Sequence, residues 1–182
     1  TGTLTEGRPA FRELLPAPGW TPDAALALAA SVDLGSEHPL AAAIVAEARR
    51  RGLALADTLD FAALPGSGVR GRVGAQDVLV GNAALLASVG ADPAPFAHAA
   101  ARHSAAGATV LYLAVDGQAA ALIALADPIR ASTPAALAAP RAEGLRVIMA
   151  TGDAEPTARA VAAELGITEI HAGARPEDKA RL

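Results

Sequence analysis

Leu145-Arg146-Val147-Ile148-Met149-Ala150-Thr151-Gly152-Asp153 is the stretch whose reading settles the fold class. A continuous apolar run ends on a sharp Thr-Gly-Asp, and a helical pattern follows to Leu165, where Gly166 stops it. A short strand over 168–171 comes next. Strand, tight turn, helix and strand in this order are the grammar of a parallel, doubly wound α/β sheet. Such sheets bind ligands at the carboxyl ends of their strands, where Thr151-Gly152-Asp153 falls. Upstream, Thr133-Pro134 starts a helix that Glu143-Gly144 closes. Only two strands of this sheet are legible, so the pattern predicts an incomplete parallel layer.

Before Asp127-Pro128-Ile129-Arg130 the grammar is different. Two apolar stretches, 109–115 and 118–125, flank Asp116-Gly117, a dipeptide that tolerates the positive φ of a two-residue hairpin. A second hairpin pairs 69–73 with 77–80 across Gly74-Ala75-Gln76. Helices start at Thr21-Pro22-Asp23, at Ser36-Glu37-His38-Pro39, at Gly81-Asn82 and at Ala91-Asp92-Pro93. The second runs to Arg49-Arg50-Arg51, cations that suit a helix C-terminus better than a nucleic-acid patch, and Gly52 stops it. Residues 11–124 therefore read as an α+β module, an antiparallel sheet with helices packed on it.

The chain has 182 residues, 15 Lys and Arg against 19 Asp and Glu, a net charge of -4 and no Cys. The mild acidity argues against sequence-independent nucleic-acid binding, which needs a cationic face. Without Cys there are no disulfides, thiolate metal sites or cysteine nucleophiles. No run approaches the ~18 apolar residues of a membrane helix. The chain opens on Thr1 rather than Met and reads as a piece of something longer. His98, His103 and His171 show no zinc-binding spacing and read as structural or surface groups, so no metal site is expected.

Several residues could carry chemistry. At Thr151-Gly152-Asp153, backbone N–H groups and the helix dipole would favour a phosphate; the same residues serve equally as an ordinary turn with Asp153 as cap. Lys179, in Pro176-Glu177-Asp178-Lys179, could reach the same pocket and neutralise phosphoryl charge, although a lone lysine is usually a solvated one. Gly66-Ser67-Gly68 opens no helix, so it is not a dinucleotide fingerprint; close approach of backbone to a ligand competes with a bulged hairpin entry. His38 sits at a helix N-terminus, whose positive dipole end disfavours an imidazolium, so stacking on a base suits it better than proton transfer.

Taken in register, these segments resemble one family. Thr1-Gly2-Thr3-Leu4-Thr5-Glu6-Gly7 resembles the tail of the Asp-Lys-Thr-Gly-Thr signature of P-type ATPases. Ser36-Glu37-His38-Pro39-Leu40 resembles the His-Pro motif of their heavy-metal branch, and Gly66-x-Gly68 and Gly81-Asn82 resemble its nucleotide-binding glycines. Asp127-Pro128-Ile129-Arg130, Thr151-Gly152-Asp153 and Pro176-x-x-Lys179 resemble the returning half of the phosphorylation domain.

The resemblance implies a nucleotide-binding domain, residues 9–124, inserted into a partial haloacid-dehalogenase-like, Rossmann-type phosphorylation domain formed by 1–8 and 125–182. It puts adenine beside His38, with Glu37 supporting the loop and Asp33 standing where Glu usually reaches the adenine amine. Gly66, Gly68 and Val69 would lie along the nucleotide, and Gly81 and Asn82 would close the pocket. Thr3, Thr151, Gly152 and Asp153 would face the γ-phosphate, Lys179 would balance its charge, and Asp127 and Arg130 would complete the site. The cofactors implied are ATP and Mg²⁺, the metal's ligands falling mostly beyond Leu182. The nucleophilic Asp would lie two residues before Thr1, so the expectation for this stretch is weak nucleotide binding without an aspartyl phosphate. The implied parent exports a soft cation, Cu(I) first and Zn or Cd second, with this part on the cytoplasmic side of a membrane beside its own actuator and membrane domains. A soluble haloacid-dehalogenase phosphatase is the rival; it shares Thr151 and Lys179 but has no reason to carry His38-Pro39 and both glycine motifs.

Overall fold

Residues 2–152 and 155–174 are described by the computed structural model; the chain divides into two units, Pro9–Ala101 with Thr109–Ala126, and Thr1–Arg8 with Arg102–Ala108 and Asp127–Leu182. In the first unit, β1 (Ala10–Pro16), β2 (Thr58–Leu64), β3 (Gly68–Val73), β4 (Gln76–Gly81), β5 (Thr109–Val115) and β6 (Gln118–Ala126) form one antiparallel sheet. Its strand order is β1-β6-β5-β4-β3-β2. Both expected hairpins form. Val115 pairs with Gln118 around Asp116 and Gly117, whose φ values of 50° and 76° are those of a type I′ turn. Val73 pairs with Gln76, so the second turn is one residue tighter than its sequence suggests. Both edge strands were poorly legible: β1 is only a short apolar run, and β2 is broken by a bulge where Asp60 takes φ 53°.

Helices α1 (Pro22–Asp33) and α2 (Pro39–Arg50) cover one face of this sheet. Their buried faces carry Ala25, Ala29, Ala30, Ala43 and Ala48 around Leu26 and Ile44. The alanines let helix backbone approach the sheet, while Leu113, Ile123 and Leu125 supply the bulk. Each such fully buried side chain contributes about 1.5–3 kcal/mol. Helix α3 (Ala83–Ser88) follows β4, and a 3₁₀ turn at Ala94–Phe96 leads into α4 (Ala97–Ala105). Phe96 meets Tyr112 of β5 with ring centroids 6.4 Å apart.

The second unit contains α5 (Thr133–Ala142), β7 (Ile148–Ala150), α6 (Glu155–Leu165) and β8 (Glu169–His171). β7 and β8 pair in parallel, as the strand–turn–helix pattern predicts. The strand itself is shorter than the apolar run over 145–150. Leu145 N–H instead donates to the Pro140 carbonyl (2.9 Å) and Gly144 N–H to Arg141 (3.0 Å), a Schellman closure that assigns Leu145 to the end of α5 and leaves it 58% exposed. Residues 2–8 are fastened into this unit from far away in sequence. Thr5 bridges Ile129, and Thr133 Oγ1 donates to the Leu4 carbonyl (2.8 Å). No helix among the described residues is long and apolar enough to cross a membrane.

Candidate functional site

Three crossings of the first unit's chain converge on one cavity of about 300 Å³, at the small end of the range for ligand sites. The end of α1 contributes Asp33 and the following turn contributes Ser36 and His38. The β2–β3 loop brings Gly66, Ser67, Gly68 and Val69, and the β4–α3 corner brings Gly81 and Asn82. Leu40, Leu64, Val80 and Leu111 make much of the remaining wall apolar. Of the sequence-predicted residues of this unit, only Glu37 is not part of the wall; it is exposed beside His38.

Local hydrogen bonds fix each part. His38 is the N-cap of α2: its Nδ1 accepts from the Leu40 N–H (3.1 Å), which assigns the ring proton to Nε2. Ser36 Oγ in turn accepts from the His38 N–H (3.2 Å). Asn82 joins two crossings, its Nδ2 donating to the Gly66 carbonyl (3.0 Å) while Oδ1 caps α3 by accepting from Leu85 N–H (2.9 Å). Gly68 and Gly81 face each other across β3 and β4. A Cβ on Gly68 would run into the Val80 carbonyl and come 2.6 Å from Gly81 Cα, so here the strand crossing itself demands glycine. Gly66 differs: it needs glycine for its φ of 72°, and the space beside it is open.

Asp33 is the electrostatic anomaly of the site. It is 4% exposed, its Oδ2 has no hydrogen-bond partner, and burial pushes its carboxyl up to about 7 from the usual carboxylate range. The end of α1 that carries it is hooked in place by Ser31. That residue's Oγ accepts from the Ala56 N–H (3.0 Å), and its carbonyl accepts from Thr58 Oγ1 (2.8 Å).

Sequence reasoning missed Phe61. Its ring lies against Gly35, where a Cβ would come within 2.9 Å of two ring carbons. Gly35 therefore serves for space, and the stack holds the turn between Asp33 and Ser36. The available signal was a glycine ahead of Ser-Glu-His-Pro and one of only three phenylalanines in the chain.

In the second unit Thr151 is buried at the end of β7. Its N–H donates to the His171 carbonyl (2.9 Å) and its own carbonyl accepts from Ala174 N–H (2.8 Å). Gly152 follows it, exposed. Asp127 accepts from the N–H groups of Gly7 (2.9 Å) and Arg8 (3.2 Å). Arg130 donates to the carbonyls of Thr5 (2.8 Å) and Gly2 (3.0 Å). These two side chains hold residues 2–8, the segment that contains exposed Thr3. Asp153 and Lys179 lie outside the described residues. Among the described residues no group of three or more His, Asp or Glu is placed to hold a metal ion.

A parallel strand–turn–helix unit carrying Thr-Gly, coupled in sequence to a sheet with a small glycine-walled cavity, agrees with the family model that matches residues 1–182, and the chain belongs to the haloacid dehalogenase-like hydrolases. Its relatives are heavy-metal-transporting P-type ATPases. Copper-transporting ATPase 1 of Rhizobium meliloti (strain 1021) is 46% identical over 179 residues, which are 98% of this chain and 22% of that protein. A zinc-transporting PIB-type ATPase solved in its E2.Pi state has a TM-score of 0.90 at 37% identity, covering 100% of this chain and 29% of that one. The catalytic domain of the CPx-ATPase CopB-B, from a structure describing conformational changes upon nucleotide binding, has a TM-score of 0.72 at 29% identity over 100% of this chain and 63% of that one. The chain spans about a quarter or less, 22% to 25%, of the length of the curated relatives it matches.

Proposed function

We propose that residues 1–182 are the ATP-handling part of a P-type ATPase that exports a soft heavy-metal cation, Cu(I) foremost, through an aspartyl-phosphate intermediate. The observation that carries this reading is the convergence of Asp33, His38, Gly66, Gly68, Gly81 and Asn82, spread over fifty positions, on one cavity. A largely apolar slot with an imidazole at its rim suits a purine, and among the described residues it has no Lys or Arg in its wall for phosphate, so the base goes here and the phosphates point outward. Gly66, Gly68 and Val69 line the base, while Gly81 and Asn82 hold that loop in place. In the second unit Thr3, Thr151, Gly152, Asp153 and Lys179 belong to the γ-phosphate by family resemblance, with Asp127 and Arg130 keeping the Thr3 segment in place. We assign nucleotide and phosphate contacts to this stretch rather than the nucleophile. Mg²⁺ enters as the family's counter-ion to ATP; among the described residues no group of three or more His, Asp or Glu is placed to hold it.

The domain assignment that follows is nucleotide-binding for 9–124 and phosphorylation for 1–8 with 125–182. The part would face the cytoplasm beside its own actuator and membrane domains. The copper reading rests on the copper-transporting relatives, and the zinc alternative is favoured by the likeness to the zinc-transporting structure. Metal-stimulated ATP hydrolysis by the longer protein, with Cu(I) against Zn²⁺, decides between them. For the nucleotide itself, NMR titration of the chain with AMP-PNP is expected to shift resonances at Ser36, His38, Gly66 and Gly68, and His38→Ala to weaken binding by about tenfold. Shifts confined to residues elsewhere in the sheet would remove the reading.

A further inference from the structure

A carboxyl group that is almost fully buried, lines a largely apolar cavity and leaves one oxygen without a partner is costly unless a ligand completes it. The groups facing it are few. On α1 the neighbouring residues are Ala29, Ala30 and Val32, and the β2–β3 loop presents Leu64, Pro65, Gly66, Ser67 and Gly68. β3 and β4 present Val69, Val80 and Gly81, and β5 presents Leu111. His38, ahead of α2, is the one other titratable side chain in the wall among the described residues, and the Leu40 N–H on its Nδ1 leaves Nε2 as the ring donor. Glu37 stands next to it outside the wall. Among the described residues no Lys or Arg lines the cavity to hold Asp33 as an anion.

We propose that Asp33 reads the purine as a neutral acid, its O–H donating to a ring nitrogen of adenine while its carbonyl oxygen accepts from the neighbouring N6 amine. This deepens the nucleotide reading and rests on it. A carboxylate has only acceptors, so ionised Asp33 satisfies the N6 amine alone and sets a lone pair against the adjacent ring nitrogen. The same carboxylate matches the paired N1–H and N2–H donors of guanine. Protonation therefore selects adenine, and ionisation shifts the preference towards guanine. Burial holds the carboxyl at about 7 in the free protein, so the switch falls within the physiological range, and adenine binding above that pH takes up a proton from solvent.

The test is isothermal titration of the 182-residue chain with AMP-PNP and with GMP-PNP from pH 6.5 to 8.5, in two buffers of different ionisation enthalpy. Asp33→Asn, which keeps one donor and one acceptor without titrating, is run beside it, so that titration of the nucleotide's own phosphates and of His38 is common to both. The native chain is expected to lose about tenfold or more in AMP-PNP affinity across this range, to take up protons at the alkaline end, and to lose its preference for AMP-PNP over GMP-PNP. The Asn variant should hold both affinities within about twofold. If the native chain binds AMP-PNP with the same pH dependence as the variant and without proton uptake, the proposal falls and the nucleotide reading stands. Failure to bind either nucleotide at any pH removes both. Should the variant not fold, the carboxyl ¹³C titration of native Asp33 serves: its midpoint must rise on saturation with AMP-PNP, and an unchanged or lowered midpoint overturns the proposal.

Discussion

Gly35 and Gly68 carry similar weight for different reasons, and the difference is measurable. Gly68 is fixed by backbone, because the Val80 carbonyl occupies the place of a side chain. Gly35 is fixed by one side chain, the ring of Phe61, which can yield. Gly35→Ala is therefore expected to destabilise by about 1–3 kcal/mol, the usual cost of overpacking, and to weaken nucleotide binding by displacing Asp33 and Ser36. Combining it with Phe61→Leu should recover part of both losses, since the two changes share one contact. Denaturant unfolding of the four variants checks this; strictly additive effects would mean that the ring does not hold the turn. The Glu47–Arg50–Arg51 cluster shows what an ordinary charge group looks like here. Hydrogen bonding by Arg50, then Arg51, lowers the Glu47 carboxyl to about 2, and the group stays on the surface.

Among the elements, the helix ends separate support from function. α2, α3, α4, α5 and α6 each end in a Schellman closure on a glycine with positive φ: Gly52, Gly90, Gly107, Gly144 and Gly166. α1 does not. Leu34 N–H reaches back to Ala30 (3.1 Å), Ser36 N–H to Asp33 (3.0 Å), and the chain passes straight into the cap of α2. This exception places the buried acid and the imidazole five residues apart on one wall. At the opposite wall the short α3 depends on its first residue. Asn82→Ala is expected to cost about 1 kcal/mol through the lost cap, and also to free the Gly66 carbonyl. Amide exchange should then quicken at Ser67, whose loop Asn82 holds, as well as at Leu85. Faster exchange at Leu85 alone would mean that the loop is held without it.

Among the described residues, 2–8 close onto 127–133 over as many as 129 positions, through backbone bonds from Glu6 N–H to Pro128 and from Arg130 N–H to Leu4 and through three side chains. Asp127 serves two backbone N–H groups, Arg130 two carbonyls and Thr133 one. Asp127→Ala takes the acceptor from the exposed N–H groups of Gly7 and Arg8, which water then serves, and should cost about 0.5–1.5 kcal/mol in that unit. Hydrogen exchange should rise at those two amides while β5 and β6 stay protected; unchanged exchange would show another anchor for the segment. The sequence by itself determined the two kinds of sheet, the existence of both hairpins, the Asp116-Gly117 turn and the starts of the helices at Pro22, Pro39 and Ala83. It did so because periodicity, capping residues and Asp-Gly act over a few neighbours and leave their mark locally. It also named most of the cavity's residues, through short motifs that together resembled one family. Only the tertiary structure decided that Leu145 closes a helix instead of extending a strand, that β1 lies beside β6, that Phe61 faces Gly35, and that Asp33 loses its water. Burial and close approach depend on which distant segments fold over a residue, and no local pattern records that.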